Sequence, residues 1–190
     1  MKIVIATRNK GKLNEYKELL GDGFELLSLS DVGFTSDVDE TGTSFEENSY
    51  IKAKSVFDFC LIPTLADDSG LMVDALSGAP GVYSARYAGV HGDDKKNYTF
   101  LLKNLENEPL RTARFKTAIT FVTKDKTYLA TGETEGEILF APEGTNGFGY
   151  DPIFYSYDLK KSFASASDEE KNKVSHRAKA VKNLLSQLKT

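Results

Sequence analysis

The chain has 190 residues (21.0 kDa), of which 40% are hydrophobic and 27% charged, so it is long enough to bury a core and too apolar for disorder. Lys and Arg number 24 against 28 Asp and Glu, a net charge of −4 with a pI near 5.3. That balance excludes a protein whose main task is coating nucleic acid, for which a pI above ~9 is expected, but not a small anionic ligand, whose site needs only local positive charge.

The single cysteine, Cys60, sits in the apolar run Phe57-Asp58-Phe59-Cys60-Leu61-Ile62 with no second cysteine to bridge, which suits core filling in a reducing, cytoplasmic compartment. The apolar stretch at the N-terminus, Ile3 to Ala6, is shorter than the ~7–15 residues of a secretory h-region or the ~18 of a membrane helix, so neither is expected. With only His91 and His176, any metal is expected on carboxylate oxygen rather than imidazole.

In chain order, Lys2 to Ala6 is a β-branched run that predicts a buried strand, and Thr7 to Lys12 is a polar interruption with Gly11. Leu13, Tyr16, Leu19 and Leu20 then recur at helical spacing, the opening of an α/β unit, and Phe24 to Leu29 predicts a second strand. A second helix is expected from Ser44, with Glu47 completing a capping box. Its apolar face is expected to carry Tyr50, Ala53, Phe57 and Cys60, and its polar face Ser44, Asn48 and Lys52. Leu61 to Ala66 predicts a strand, and Tyr98, Leu101, Leu102 and Leu105 a helix after Asp93-Asp94. From Ala113 to Ile138 the period falls to two, with Lys124-Asp125-Lys126 as the turn, which predicts a long-armed β-hairpin. Ser167 and Glu170 form a capping box for a short helix, and Ala178, Val181, Leu185 and Leu188 line a last one. No linker or repeat divides the chain, so one α/β domain over residues 1–190 with a mixed sheet is expected.

Five stretches carry chemistry. Thr7-Arg8-Asn9-Lys10-Gly11-Lys12 lies at a strand-to-helix junction, where unpaired N–H groups and the helix dipole suit an anion, although it is not the Gly-x4-Gly-Lys-Ser/Thr loop. Asp67-Asp68-Ser69-Gly70 follows a strand-like run; adjacent carboxylates at a strand end repel, and a hard cation such as Mg²⁺ would relieve them, with Glu40 as a further acid. Lys52 stands in line with Asn48 on the second helix. Phe148-Gly149-Tyr150-Asp151 is a glycine-hinged aromatic loop suited to stacking on a flat ring, and His176 and Arg177 open the final helix as hydrogen-bond donors. An acidic turn, a solvated lysine and ordinary core aromatics are the plainer readings of each stretch alone.

Together these blocks resemble the inosine triphosphate pyrophosphatase (Ham1-like) family nearly end to end: Thr7 to Lys12, Glu40-Thr41-Gly42, Phe45 to Asn48 with Lys52-Ala53, Ala66 to Leu71, Gly78 to Tyr87, Gly147 to Phe154, and Ser175-His176-Arg177. The resemblance implies a single elongated α/β domain with a central mixed sheet and two lobes flanking an active-site groove, usually a homodimer. It implies hydrolysis of the deaminated purine nucleotides ITP, dITP and XTP to the monophosphate plus pyrophosphate with Mg²⁺. By position, Thr7, Arg8, Asn9, Lys10, Gly11, Lys12 and Lys52 would hold the phosphates, Glu40 and Asp68 the metal, and Asp68 would also accept the proton, with Ser69 at the substrate. Phe148, Gly149, Tyr150, Asp151, Lys171, His176 and Arg177 would form the nucleoside pocket, with His176, Arg177 or nearby backbone donating to the 6-oxygen that distinguishes hypoxanthine and xanthine from adenine. Ser49 stands where the family often has Ala, beside Asn48 and outside any expected contact. The alternatives are a Maf-like pyrophosphatase of other base preference, which should lack the Phe-Gly-Tyr-Asp and Ser-His-Arg blocks, a non-hydrolysing nucleotide-binding regulator, and an RNA-binding module, against which the acidic balance speaks. Neither nucleic acid nor membrane is an expected partner.

Overall fold

A computed structural model describes residues 1–189. The strands are β1 (Lys2–Ile5), β2 (Glu25–Leu27), β3 (Thr64–Val73), β4 (Thr112–Val122), β5 (Thr127–Ile138), β6 (Phe154–Ser156) and β7 (Lys161–Ser162). The helices are α1 (Lys10–Leu20), α2 (Phe45–Cys60), α3 (Asp94–Asn104), α4 (Asp168–Val174) and α5 (His176–Leu188). The strands form one seven-stranded sheet in the order β2-β1-β3-β4-β5-β6-β7. It is mixed, as expected: β1 runs parallel to β2 and β3, with Val4 opposite Leu27 and Thr64, while β5–β6 and β6–β7 are antiparallel. Between β4 and β5 the chain turns over Thr123 to Lys126, where Thr123 donates its N–H to the Lys126 carbonyl (2.9 Å), so the predicted hairpin forms with its predicted turn.

Two compact units divide the chain. The first comprises Met1–Asp68, Thr117–Gly132 and the segment from Arg177 onward; the second comprises Ser69–Lys116 and Glu133–His176. Within the first, strand alternation sorts side chains to two cores. Ile3, Ile5, Leu65, Ile119 and Phe121 pack with Tyr16 and Leu20 of α1 and Ala180, Val181 and Leu184 of α5. Val4, Ala6, Ala66 and Val122 pack instead with Ala53 and Val56 of α2, together with Leu29 and Phe34. Each large aliphatic side chain so buried contributes about 1.5–3 kcal/mol. The second unit has its own core, in which Leu71 and Val73 of β3, Leu101 and Leu105 of α3, Phe115, Ile138, Tyr150, Phe154 and Phe163 come together.

Several expectations need correction. The buried stripe of α2 runs through Phe45, Ser49, Ala53 and Val56, with Asn48 beside it, whereas Tyr50 is exposed and Phe57 and Cys60 only flank the core. The helix packs Ala53 and Val56 on the apolar side chains of the sheet and, beside them, turns Asn48 and Lys52 to the acids of β3. Ser49, expected to make no contact, is fully buried with its hydroxyl 2.8 Å from that of Thr120. Only half of the capping box at Ser44 forms: Ser44 accepts the Glu47 N–H (3.2 Å), but the Glu47 carboxylate turns to the N–H of Thr43 (2.7 Å). At Ser167 and Glu170 the full box is present. The last helix buries Arg177, Ala180, Val181 and Leu184, with Leu185 and Leu188 packed against them and Ala178 aside.

The largest correction concerns β3. It starts at Thr64 and continues through Asp67-Asp68-Ser69-Gly70 to Val73, so the acidic pair lies inside a strand and not at its end. Adjacent strand residues face opposite sides of the sheet, which separates two carboxylates that a turn would have crowded together.

Candidate active site

The first unit gathers its charges where α1, α2 and α5 meet the middle of the sheet. Past β1 the chain turns at Thr7, whose hydroxyl accepts the Asn9 N–H (3.1 Å). Asn9 caps α1, its side-chain oxygen accepting the Lys12 N–H (3.1 Å), so Lys10, Gly11 and Lys12 form the helix's first turn. Arg8 points away from that turn and holds the next segment, donating to the carbonyls of Thr35 (2.8 Å) and Ser36 (3.0 Å).

Asp67 shares the face of Leu65, toward α1 and α5, and there its carboxylate meets two cations. Lys12 Nζ is 2.9 Å away and Arg177 Nη2 3.3 Å, all three side chains being largely buried. Arg177 also pairs with Glu15 of α1 and lies over the Tyr16 ring. Burial alone would raise the Asp67 pKa, but Lys12, Arg177 and Lys52 outweigh it and hold the carboxyl well below the usual range. Lys12 in turn is pulled below the ordinary lysine value, by burial first and by Lys52 and Arg177 next, against the attraction of Asp67.

Asp68 shares the face of Ala66, toward α2. Asn48 donates to its carboxylate (3.0 Å) and accepts the Gly42 N–H (2.8 Å), which fastens the segment after Glu40 onto the helix. Gly42 has to be glycine, since a Cβ there would stand 2.6 Å from the Glu47 Cβ and 2.7 Å from the Asn48 side-chain oxygen. One turn beyond Asn48, Lys52 bridges the Glu40 carboxylate (2.8 Å) and the Asp67 carbonyl (3.1 Å). Burial depresses the Lys52 pKa, but Glu40, Asp67 and Asp68 overcome this and leave it raised. The Asp68 carboxyl is itself pushed up, mainly by burial and further by Glu40, against Lys12, Lys52 and the Asn48 hydrogen bond.

In the second unit, Asp151 and Lys171 form a buried ion pair at 2.6 Å. Lys171 Nζ lies 4.8 Å from the centre of the half-buried Phe148 ring, and Asp151 accepts the Phe148 N–H (3.0 Å). Tyr150 turns into the core, its hydroxyl donating to the Ser84 carbonyl (2.8 Å). The His176 ring is buried and stacks on Phe115 with centroids 4.9 Å apart. Ser69 continues β3, half-buried.

The structure thus brings together Lys12, Lys52, Glu40 and Asp68 in the first unit, and Phe148, Asp151 and Lys171 in the second. Arg177, expected beside the base with His176, instead directs its guanidinium to Glu15 and Asp67. Sequence reasoning missed Asn48, placed on a solvated face, and left Asp67 without a role. Both were findable: Asp67 from its even spacing with Leu65 in a buried strand, and Asn48 from its position four residues before Lys52. Among the described residues no three His, Cys, Asp or Glu side chains form a group able to hold a metal ion by themselves.

The fold is an α/β protein in which Lys12, Lys52 and Arg177 are set against Asp67 and Glu40 beside the start of α1, a charged cluster suited to an anion. The comparisons place it more narrowly: the chain belongs to the Ham1 family, whose model matches residues 3–187. It is 50% identical over 187 residues to a dITP/XTP pyrophosphatase of Listeria monocytogenes, covering 96% of this chain and 92% of that one. A dITP/XTP pyrophosphatase of Christiangramia forsetii is 48% identical, with 99% of each chain covered. Among solved structures, the Staphylococcus aureus Ham1 protein superposes with a TM-score of 0.89 at 42% identity, covering 100% of this chain and 98% of that one.

Proposed function

We propose that the protein hydrolyses deaminated purine nucleoside triphosphates, ITP, dITP and XTP, to the nucleoside monophosphate and pyrophosphate. The observation that carries this reading is the first-unit cluster, in which Lys12 and Lys52 are held by Asp67 and Glu40 next to the carboxylate of Asp68; the names of the curated relatives supply the substrate class. Thr7, Asn9, Lys10, Gly11, Lys12 and Lys52 receive the phosphates, with Arg8 anchoring the loop through the carbonyls of Thr35 and Ser36. Water attacks the α-phosphorus, the bond to the α–β bridging oxygen breaks, and pyrophosphate leaves with the negative charge that Lys12 and Lys52 stabilise. Asp68, the carboxylate that Asn48 holds beside this cluster, accepts the proton of the attacking water.

Glu40 and Asp68 fit a Mg²⁺ ion. They are hard oxygen donors close enough for the charge of Glu40 to be felt at Asp68, and two carboxylates are what Mg²⁺ takes when it completes its shell with water and substrate phosphates. When bound it supplies neutralisation of the phosphate charge. In the second unit, Phe148 offers the base a stacking face, with Lys171, Asp151 and His176 around it as polar partners. Arg177 acts from within the phosphate cluster, helping Lys12 to keep Asp67 ionised. A homodimer is part of the proposal, as is a cytoplasmic setting; among the described residues no helix is long and apolar enough to cross a membrane.

The test is pyrophosphate release from ITP, dITP, XTP, ATP, GTP and the pyrimidine triphosphates, with and without Mg²⁺. Preferred, Mg²⁺-dependent turnover of ITP, dITP and XTP is expected. A pyrimidine preference would move the protein to the Maf-like reading, and turnover of nothing to that of a nucleotide-binding regulator.

A further inference from the structure

The loop that carries Phe148 is held from inside by buried groups and from outside by one exposed carboxylate. Inside, Asp151 takes the Phe148 N–H and pairs with Lys171, and Tyr150 is tied to Ser84. Outside, the first residue of α3, Asp94, accepts the Gly149 N–H at 2.7 Å. The Phe148 carbonyl, at the other end of the same peptide unit, accepts the Asp151 N–H at 3.2 Å. A peptide unit is planar, so fixing its N–H and its carbonyl fixes the plane, and with it the direction in which the Phe148 Cα sends its ring. Gly149 has a φ of +63°, a conformation a free loop would readily leave, and a charge-assisted bond to its N–H opposes that departure.

We infer that Asp94 is a positioning residue for the nucleobase: by clamping the Phe148–Gly149 peptide from α3, it holds the Phe148 ring as a preformed stacking face. The inference rests on the proposed role of Phe148, and its test separates the two. Asp93, its neighbour, caps the same helix by accepting the Lys96 N–H (3.0 Å) and leaves Gly149 alone, so it serves as the control.

Asp94→Ala is expected to raise KM for ITP about fivefold with kcat within about twofold, because the bond breaks at the phosphates while the loss is in base binding. Asp94→Asn, which keeps an acceptor oxygen, should recover most of the lost KM, and Asp93→Ala should leave KM unchanged while lowering thermal stability. In the free protein, amide exchange at Gly149 should accelerate in Asp94→Ala and not in Asp93→Ala. An unchanged KM in Asp94→Ala, an Asn variant as impaired as Ala, or an equal rise in Asp93→Ala would each overturn the inference. If the unaltered enzyme is inert on ITP, dITP and XTP, the proposed function fails, and exchange at Gly149 then decides the clamp: no acceleration in Asp94→Ala refutes it. Should the Ala variant fail to fold, Asp94→Ser carries the same measurements.

Discussion

Asp67 and Asp68 are neighbours in sequence with opposite electrostatics. Asp67, the more deeply buried of the two, touches Lys12 and Arg177 and is held ionised; Asp68 is bonded to the neutral Asn48 and is pushed toward protonation by burial and by Glu40, against Lys12 and Lys52. A carboxyl that is harder to ionise in the fold than in the unfolded chain costs stability at neutral pH. The stability associated with it is fully present below the unfolded value of ~3.9 and is lost as pH rises through the raised folded value. Asp68→Asn is therefore expected to lower kcat roughly 10²–10⁴-fold while raising Tm at pH 7, with the Tm advantage shrinking as pH falls toward ~4. Steady-state turnover and metal-free melts at the two pH values check this, and turnover near that of the unaltered enzyme would remove Asp68 from the proton-accepting role. Asp67→Asn should behave in the opposite sense, leaving Lys12 buried without its contacting anion while Arg177 keeps Glu15, at a cost of about 3–5 kcal/mol, visible as a lower Tm at pH 7.

At the scale of elements, the site depends on where strands and helices abut. Helix α2 presents Asn48 and Lys52 to β3 because its small residues, Ser49 and Ala53, let it lie close to the sheet. Of the apolar stripe Tyr50, Ala53, Phe57 and Cys60, Ala53 is buried and Phe57 and Cys60 pack against the core, while Tyr50 is exposed; hydrophobicity alone is blind to the polar neighbours that Asn48 and Lys52 meet across the interface. The β5–β6 pairing shows close approach of another kind. Gly136 faces Ser156, and a Cβ on it would lie 2.2 Å from the Tyr155 carbonyl oxygen and 2.6 Å from the Phe154 ring. Gly136→Ala is expected to force the two strands apart and destabilise the second unit by about 1–3 kcal/mol or more, measurable as a fall in the denaturation midpoint. An unchanged midpoint would mean that β6 gives way at little cost.

For the whole molecule, binding is linked to stability. A non-hydrolysable ITP analogue at 100 times its Kd should stabilise the protein by about 2.7 kcal/mol, a Tm rise of roughly 5–10 °C for a chain of this size. The rise should need Mg²⁺ and collapse in chelator, because without the cation the phosphates would face Glu40 and Asp68 directly. A full rise in chelator would contradict the assignment of those two acids to a metal.

Much of this was legible in the sequence. Periodicity located β1, α1, the β4–β5 hairpin and the last two helices, and the order of short polar blocks pointed to the Ham1 family, because side-chain period and local capping depend on near neighbours along the chain. The net charge of −4 was also a property of sequence, and it excluded a broad nucleic-acid surface. It could not place a single charge. Only the tertiary structure decided that Lys12 and Arg177 share Asp67, that Lys52 spans Glu40 and the Asp67 carbonyl, and that Asp94 reaches Gly149 across 55 positions of sequence. Such pairings follow from which elements become neighbours in the sheet and its covering helices. Coulomb energy and hydrogen bonding act over a few ångströms of space, and no local pattern in the chain encodes that proximity.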